Sequence, residues 1–84
     1  MNISINTKFN IGDKVYIADL YYDFYACRKP HTIIDILIDI NRHRTHIMYE
    51  VKQDNVTYRV PERLTFDTYE ECAKWCEEHN RKGE

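Results

Sequence analysis

Leu64–Asn80 reads LTFDTYEECAKWCEEHN, and its period changes in the middle. Leu64–Phe66 is a short apolar run suited to a strand, whereas Tyr69, Cys72, Ala73 and Cys76 recur at the spacing of one helix face, with Trp75 at its flank. Thr68 stands where an N-cap belongs, and Glu71 three residues later completes a capping-box pattern. Asp67, Glu70 and Glu71 sit near the positive end of the helix dipole. The spacing predicts a helix over about 68–80 whose apolar stripe packs on whatever precedes it.

What precedes it reads as strands. Pro61 removes a backbone donor, so a strand ending near Val60 is expected to pass through a tight turn at Pro61–Arg63 before Leu64–Phe66 resumes. Val56–Val60 and Thr45–Lys52 alternate and are joined by the polar turn Gln53-Asp54-Asn55. Thr32–Ile40 is the clearest strand. Simple alternation places Ile34, Ile36, Ile38 and Ile40 on one face, expected to be buried, and Ile33, Asp35, Leu37 and Asp39 on the other. Phe9–Ala18, FNIGDKVYIA, reads as a Gly12-Asp13 turn entering a first strand. About five strands result, with Leu20–Pro30 left as an aromatic loop and Arg81–Glu84 as a frayed tail.

The order of FNIGDKVYIA, an aromatic loop, a long strand, a hairpin, VPERLTF and TYEECAKWC resembles the small SH3-like barrels, similar in style to KOW and Tudor modules, found in phage and mobile-element proteins of Firmicutes. The resemblance covers roughly residues 9–80. It implies a mainly β chain with one helix: an SH3-like small β-barrel at 9–66 plus a C-terminal α-helix at 68–80, within a single domain spanning 1–84. It transfers no functional residue. ADLYYDFYA is also similar to the ALYDY motif of eukaryotic SH3 domains, although here it follows the Gly-Asp turn instead of preceding it.

Eighty-four residues bury only about 60% of the unfolded surface, so one compact core must supply the stability. Apolar residues make up 43% of the chain, enough for a folded core. The first 66 residues carry nine Lys/Arg against eight Asp/Glu, and the last 18 carry three against six, so the helix is acidic and the strands nearly neutral. That balance lacks the dense cationic stripe of nonspecific nucleic-acid binders. No run approaches the roughly 20 apolar residues of a membrane helix, and MNISINTKF lacks a basic segment followed by an apolar one, so no membrane association and a cytoplasmic location are expected. Cys27, Cys72 and Cys76 form an odd set without disulfide-framework spacing, which fits a reducing compartment.

Catalytic and metal chemistry find little support. Cys72, Cys76 and His79 share helical spacings, but two thiols flanking Ala73 in an apolar stripe read as packing, so no metal site and no cofactor are expected. Asp35 and Asp39 project to the same side of a strand about 13 Å apart, beyond the reach of paired-carboxylate chemistry. Cys27 precedes Arg28 and Lys29, which favour a thiolate, yet no oxyanion device accompanies it. No catalytic residue is assigned.

Binding is better supported. Tyr21, Tyr22, Phe24 and Tyr25 crowd one connection beside Arg28 and Lys29, more aromatic surface than a small barrel buries. Tyrosine offers large area and a polar tip with few rotatable bonds, suited to recognition. NRHRTH, Asn41–His46, brings Arg42 and Arg44 to a hairpin tip, where guanidinium forks suit carboxylate or phosphate. Tyr16, Leu37 and Met48 lie opposite the isoleucines and await either the helix or a partner.

The reading that follows is a non-catalytic protein-interaction module, in its sharper form a phage or mobile-element inhibitor of a bacterial defence system such as an anti-CRISPR. The tyrosines would anchor, and Glu70, Glu71, Glu77 and Glu78 would meet the basic groove of a host nuclease. The alternative is a small nucleic-acid-binding barrel in which Tyr21, Tyr22 and Tyr25 stack on bases while Arg28, Lys29, Arg42 and Arg44 hold phosphates.

Overall fold

The computed structural model describes residues 5–82. Six strands precede one helix: β1 (Lys14–Tyr21), β2 (Asp23–Ala26), β3 (His31–Ile40), β4 (Thr45–Gln53), β5 (Val56–Pro61), β6 (Thr65–Phe66) and α1 (Tyr69–Lys82). All ladders are antiparallel, in the order β2-β1-β3-β4-β5, with β6 added to β1. The chain is therefore mainly β with a C-terminal helix, and its sheet does not close into the expected ring of strands. A 3-10 turn at Glu62–Leu64 lies between β5 and β6, where Pro61 ends the ladder against Met48. At that position Pro61's missing N–H goes unused.

Gly12 makes the entry into β1. Asp13 N donates to Asn10 O at 3.1 Å, Asn10 N donates to Asp13 Oδ2 at 2.9 Å, and Gly12 takes φ 96, a left-handed conformation open to glycine without strain. β1 then becomes the axis of the molecule, because successive side chains enter two separate cores. Val15 and Ile17 join Phe9, Ile33, Tyr49, Val51 and Val60 on one face. Tyr16 and Ala18 face the helix, where Ala18, Phe66, Cys72 and Cys76 are buried and Phe24, Leu64 and Trp75 pack around them. The helix thus covers the β1/β2/β6 face, while Leu37 and Met48 stay half-buried and outside that core.

The helix begins as its sequence signals predict. Glu71 N donates to Thr68 Oγ1 at 3.2 Å, and the helix runs two residues past the expected end, through Lys82. Of the expected frayed tail, Arg81 and Lys82 are helical, and residues 83–84 lie outside the described residues.

Two expectations are overturned. The aromatic stretch Leu20–Pro30 is a hairpin as well as a loop: β2 folds back on β1 with Ala26 opposite Ala18 and Asp23 opposite Tyr21. The isoleucine face is also broken. The β3–β4 register shifts between Ile33 and Asp35, so that Ile33 opposes Val51 and Asp35 opposes Glu50, leaving Ile34 as the extra residue of a β-bulge. An extra residue reverses the parity of everything after it. Ile33 is therefore fully buried, and Ile36, Ile38 and Ile40 share its face opposite Tyr49, Ile47 and Thr45, whereas Ile34 is exposed.

Candidate interaction surface

The sharpest anomaly lies where β1 meets β2. Tyr22 alone connects the paired residues Tyr21 and Asp23, and it does so at φ 65. That region costs a residue with a Cβ about 1–3 kcal/mol unless its surroundings hold it there. The ring is not buried in return. Tyr22 is 91% exposed and Tyr21 73%, and the two rings meet edge to face at 4.8 Å between centroids. Large apolar surface on a strained tip is a feature that binding sites use.

The other aromatic residues of this stretch divide. Tyr25 is exposed and donates to Asp19 Oδ2 at 3.2 Å; its hydroxyl pKa is raised, first by the Asp19 charge. Phe24, expected at the partner surface, instead packs edge to face on Trp75 at 4.9 Å in the helix-side core. The parity of the hairpin explains this: Phe24 opposes Leu20 and so shares the helix face with Ala26 and Ala18. Its backbone is held as well. Phe24 N donates to Asn80 Oδ1 and Asn80 Nδ2 donates to Phe24 O, both at 2.9 Å. The last turns of α1 therefore occupy part of the outer edge of β2.

Arg28 and Lys29 are exposed in the β2–β3 connection. Arg42 and Arg44 are exposed at the β3–β4 tip, which Asn41 organises: its Oδ1 accepts from His43 N at 2.9 Å and Arg44 N at 3.1 Å, and Asn41 N donates to Arg44 O at 3.0 Å. β1 and β3 pair antiparallel only at Lys14–Thr32 and Val15–His31. From that crossing β1 runs one way to Tyr22 and β3 runs the other way to Arg42. The tyrosine tip and the two tip arginines therefore lie beyond opposite ends of the ladder and do not form one surface.

Glu70, Glu71, Glu77 and Glu78 are exposed together on the side of α1 opposite Cys76. Lys74 and Arg81 share that side, and Arg81 pairs with Glu77 at 2.8 Å, so the acidic face is diluted. It remains net negative by two charges if all six side chains are ionised.

The three cysteine thiols are buried or half-buried. Cys72 and Cys76 lie in the helix-side core, where burial pushes the Cys72 thiol up to about 12 and raises that of Cys76. Cys27 is half-buried, and burial followed by the Asp19 charge raises its thiol pKa, opposite to the direction Arg28 and Lys29 suggest. Among the described residues no three His, Cys, Asp or Glu side chains converge as metal ligands. A shallow depression of about 180 Å³ is lined by Thr45, His46, Ile47, Pro61, Glu62 and Arg63. Glu62 there is already committed: its Oε2 accepts from Tyr49 Oη at 2.6 Å and from Lys8 N at 2.9 Å. Tyr49 Oη also accepts from Phe9 N at 3.0 Å, tying the N-terminal segment across the core; burial and the Glu62 bond push the Tyr49 hydroxyl up to about 12. No described helix is long and apolar enough to cross a membrane.

No family model, curated protein or solved structure matches the chain.

Proposed function

We propose that this chain is a non-catalytic protein-interaction module that works in the cytoplasm, with the Tyr21-Tyr22 tip as its anchor. One observation carries the reading: Tyr22, 91% exposed, is the whole β1–β2 connection at φ 65, and Tyr21 beside it at the end of β1 is 73% exposed. Rigid aromatic side chains of this kind bury large area at small entropic cost and dominate binding energy where they occur.

The frame is read as similar to the small SH3-like modules of phages and mobile elements, with its sheet left open. Two features favour that frame: a 3-10 turn precedes the last short strand, and that strand returns to pair with the first. In this setting the partner is a host nuclease or another protein of a bacterial defence system, inhibited sterically as an anti-CRISPR would inhibit it. The exposed Glu70, Glu71, Glu77 and Glu78 suit a basic groove otherwise filled by nucleic acid. A nucleic-acid role for the chain itself fits less well, because the stacking tyrosines and the Arg42/Arg44 tip stand at opposite ends.

Affinity purification from a bacterial host, read by mass spectrometry, tests the partner class: recovery of a nuclease or defence protein supports it, and recovery of none contradicts it. Titration with single-stranded DNA decides against the alternative if no complex forms at low salt. Tight binding that collapses as salt rises would instead favour a direct nucleic-acid binder.

A further inference from the structure

We propose that the outer edge of β3, from Ile36 to Ile40, is a self-association edge that pairs antiparallel with the same edge of a second copy, Ile38 opposite Ile38. The ladder with β1 stops at Thr32, and only two further bonds follow: Gly12 N to Ile33 O at 2.8 Å and Asp13 O from Ile33 N at 2.9 Å. Past the bulge, no described strand pairs this side of β3.

The direction of the free groups follows from the hairpin. Asn41 N donates to Arg44 O, so Asn41–Arg44 is a hydrogen-bonded pair, and strict alternation makes Asp39–His46 and Leu37–Met48 hydrogen-bonded pairs as well. Ile36, Ile38 and Ile40 then direct their N–H and C=O groups away from β4. Ile36 N bears this out by donating to the neighbouring Asp35 Oδ1 at 2.9 Å instead of to a strand.

Past the bulge at Ile34, this edge carries little protection beyond Asp39. An unpaired strand edge invites another strand, and proteins blunt such edges with lysine, proline, bulges or cover. β2, at one end of the sheet, has its Phe24 groups taken by Asn80, and β5, at the other, carries Arg59 and ends on Pro61. Between Ile36 and Ile40 there is no lysine, arginine or proline, and Ile38 and Ile40 are 43% and 48% exposed.

Charge selects the register, and the basic tip of a second copy complements Asp35. If Ile36 lay opposite Ile38 of a second copy, Asp35 would face Asp39 directly on the other side of the sheet, a repulsive pair. Shifting by two residues places Ile38 opposite Ile38, Ile36 opposite Ile40, Asp39 beside Leu37 and Asp35 beside Asn41. The Arg42/Arg44 tip of each copy then comes to the end of the strand that carries Asp35 in the other. The contact is the same patch twice, as a two-fold dimer requires, and it leaves both Tyr22 tips at the far ends.

Sedimentation across a concentration series tests the association, with Ile38→Lys as the disrupting variant and circular dichroism as the control for folding. The register is tested by oxidising Ile38→Cys in a Cys27→Ser background, since hydrogen-bonded antiparallel pairs lie about 5.5 Å apart between Cα atoms, within disulfide reach. Expected are a wild-type mass that climbs toward twice the monomer value, a folded Ile38→Lys variant that stays monomeric, and a covalent dimer at position 38 but not in the matched Ile36→Cys variant. A wild type that remains monomeric throughout, a dimer indifferent to Ile38→Lys, or equal crosslinking at 36 and 38 would overturn the proposal.

Discussion

Asn80 holds Phe24 by a two-bond amide pair, Phe24 N to Oδ1 and Nδ2 to Phe24 O at 2.9 Å each, joining residues 56 apart in sequence. This side chain does for the edge of β2 what another strand would do. Replacing Asn80 with alanine leaves a partly buried N–H and C=O without partners, a cost of about 1–3 kcal/mol. The expected result is a lower urea midpoint with an unchanged slope, together with faster hydrogen exchange at the Phe24 amide. An unchanged midpoint would show that the pair adds nothing to stability.

The bulge at Ile34 makes two adjacent isoleucines behave in opposite ways. Ile33→Asp places a carboxylate in a fully buried site and is expected to unfold the chain, whereas Ile34→Asp changes an exposed side chain and costs less than about 1 kcal/mol. Thermal denaturation of the two variants separates this register from uninterrupted alternation, which predicts the reverse order.

That reversal shows where the sequence could be read and where it could not. Thr68, Glu71 and the Cys72/Cys76 spacing carry the helix locally, so its start and its buried face were legible. Thr32–Ile40 was legible as a strand for the same reason. The inward set was not, because a bulge is decided by the pairing partner: Ile33 and Asp35 take Val51 and Glu50, and nothing within HTIIDILIDI marks Ile34 as the extra residue. β2 was missed because DFYA is four residues long and lies in an aromatic stretch. The alternation Phe24/Ala26 against Tyr25 was the signal that could have found it. Of the candidate site, the exposed Tyr21 and Tyr22 were legible from the excess of aromatic residues, but the separation of that tip from Arg42 and Arg44 depends on how β1 crosses β3.

His31 makes stability depend on pH. Its side chain is buried, its Nε2 lies 2.8 Å from Tyr58 Oη, its Nδ1 has no hydrogen-bond partner among the described residues, and burial lowers its pKa below 6.5. A group whose folded pKa lies below its unfolded value disfavours the proton in the fold. His31 therefore leaves stability intact above about pH 6.5 and reduces it as pH falls from there through the lower folded value. Denaturant midpoints at a series of pH values from neutral to 5 should decline, and the decline should shrink in His31→Leu. An equal slope in both proteins would assign the dependence elsewhere.

Tyr22→Gly relieves a strained φ while removing an exposed ring. Glycine adopts φ 65 without a Cβ penalty, although its freer unfolded chain offsets part of the gain. The expected outcome is a folded state as stable as the wild type or more stable, by up to about 1 kcal/mol, in chemical denaturation. Marked destabilisation would mean that the ring stabilises the fold and is not held out for a partner.

The decisive property is whether the tyrosine tip binds a protein. The direct measurement is quantitative capture from a bacterial lysate with two matched baits, the wild type and the Tyr21→Ser/Tyr22→Gly variant, each first shown to be folded by circular dichroism. The expected result is a defence-system protein, such as a nuclease, retained by the wild type and depleted at least tenfold with the variant, about 1.4 kcal/mol of binding energy or more. Equal capture by both baits would contradict it.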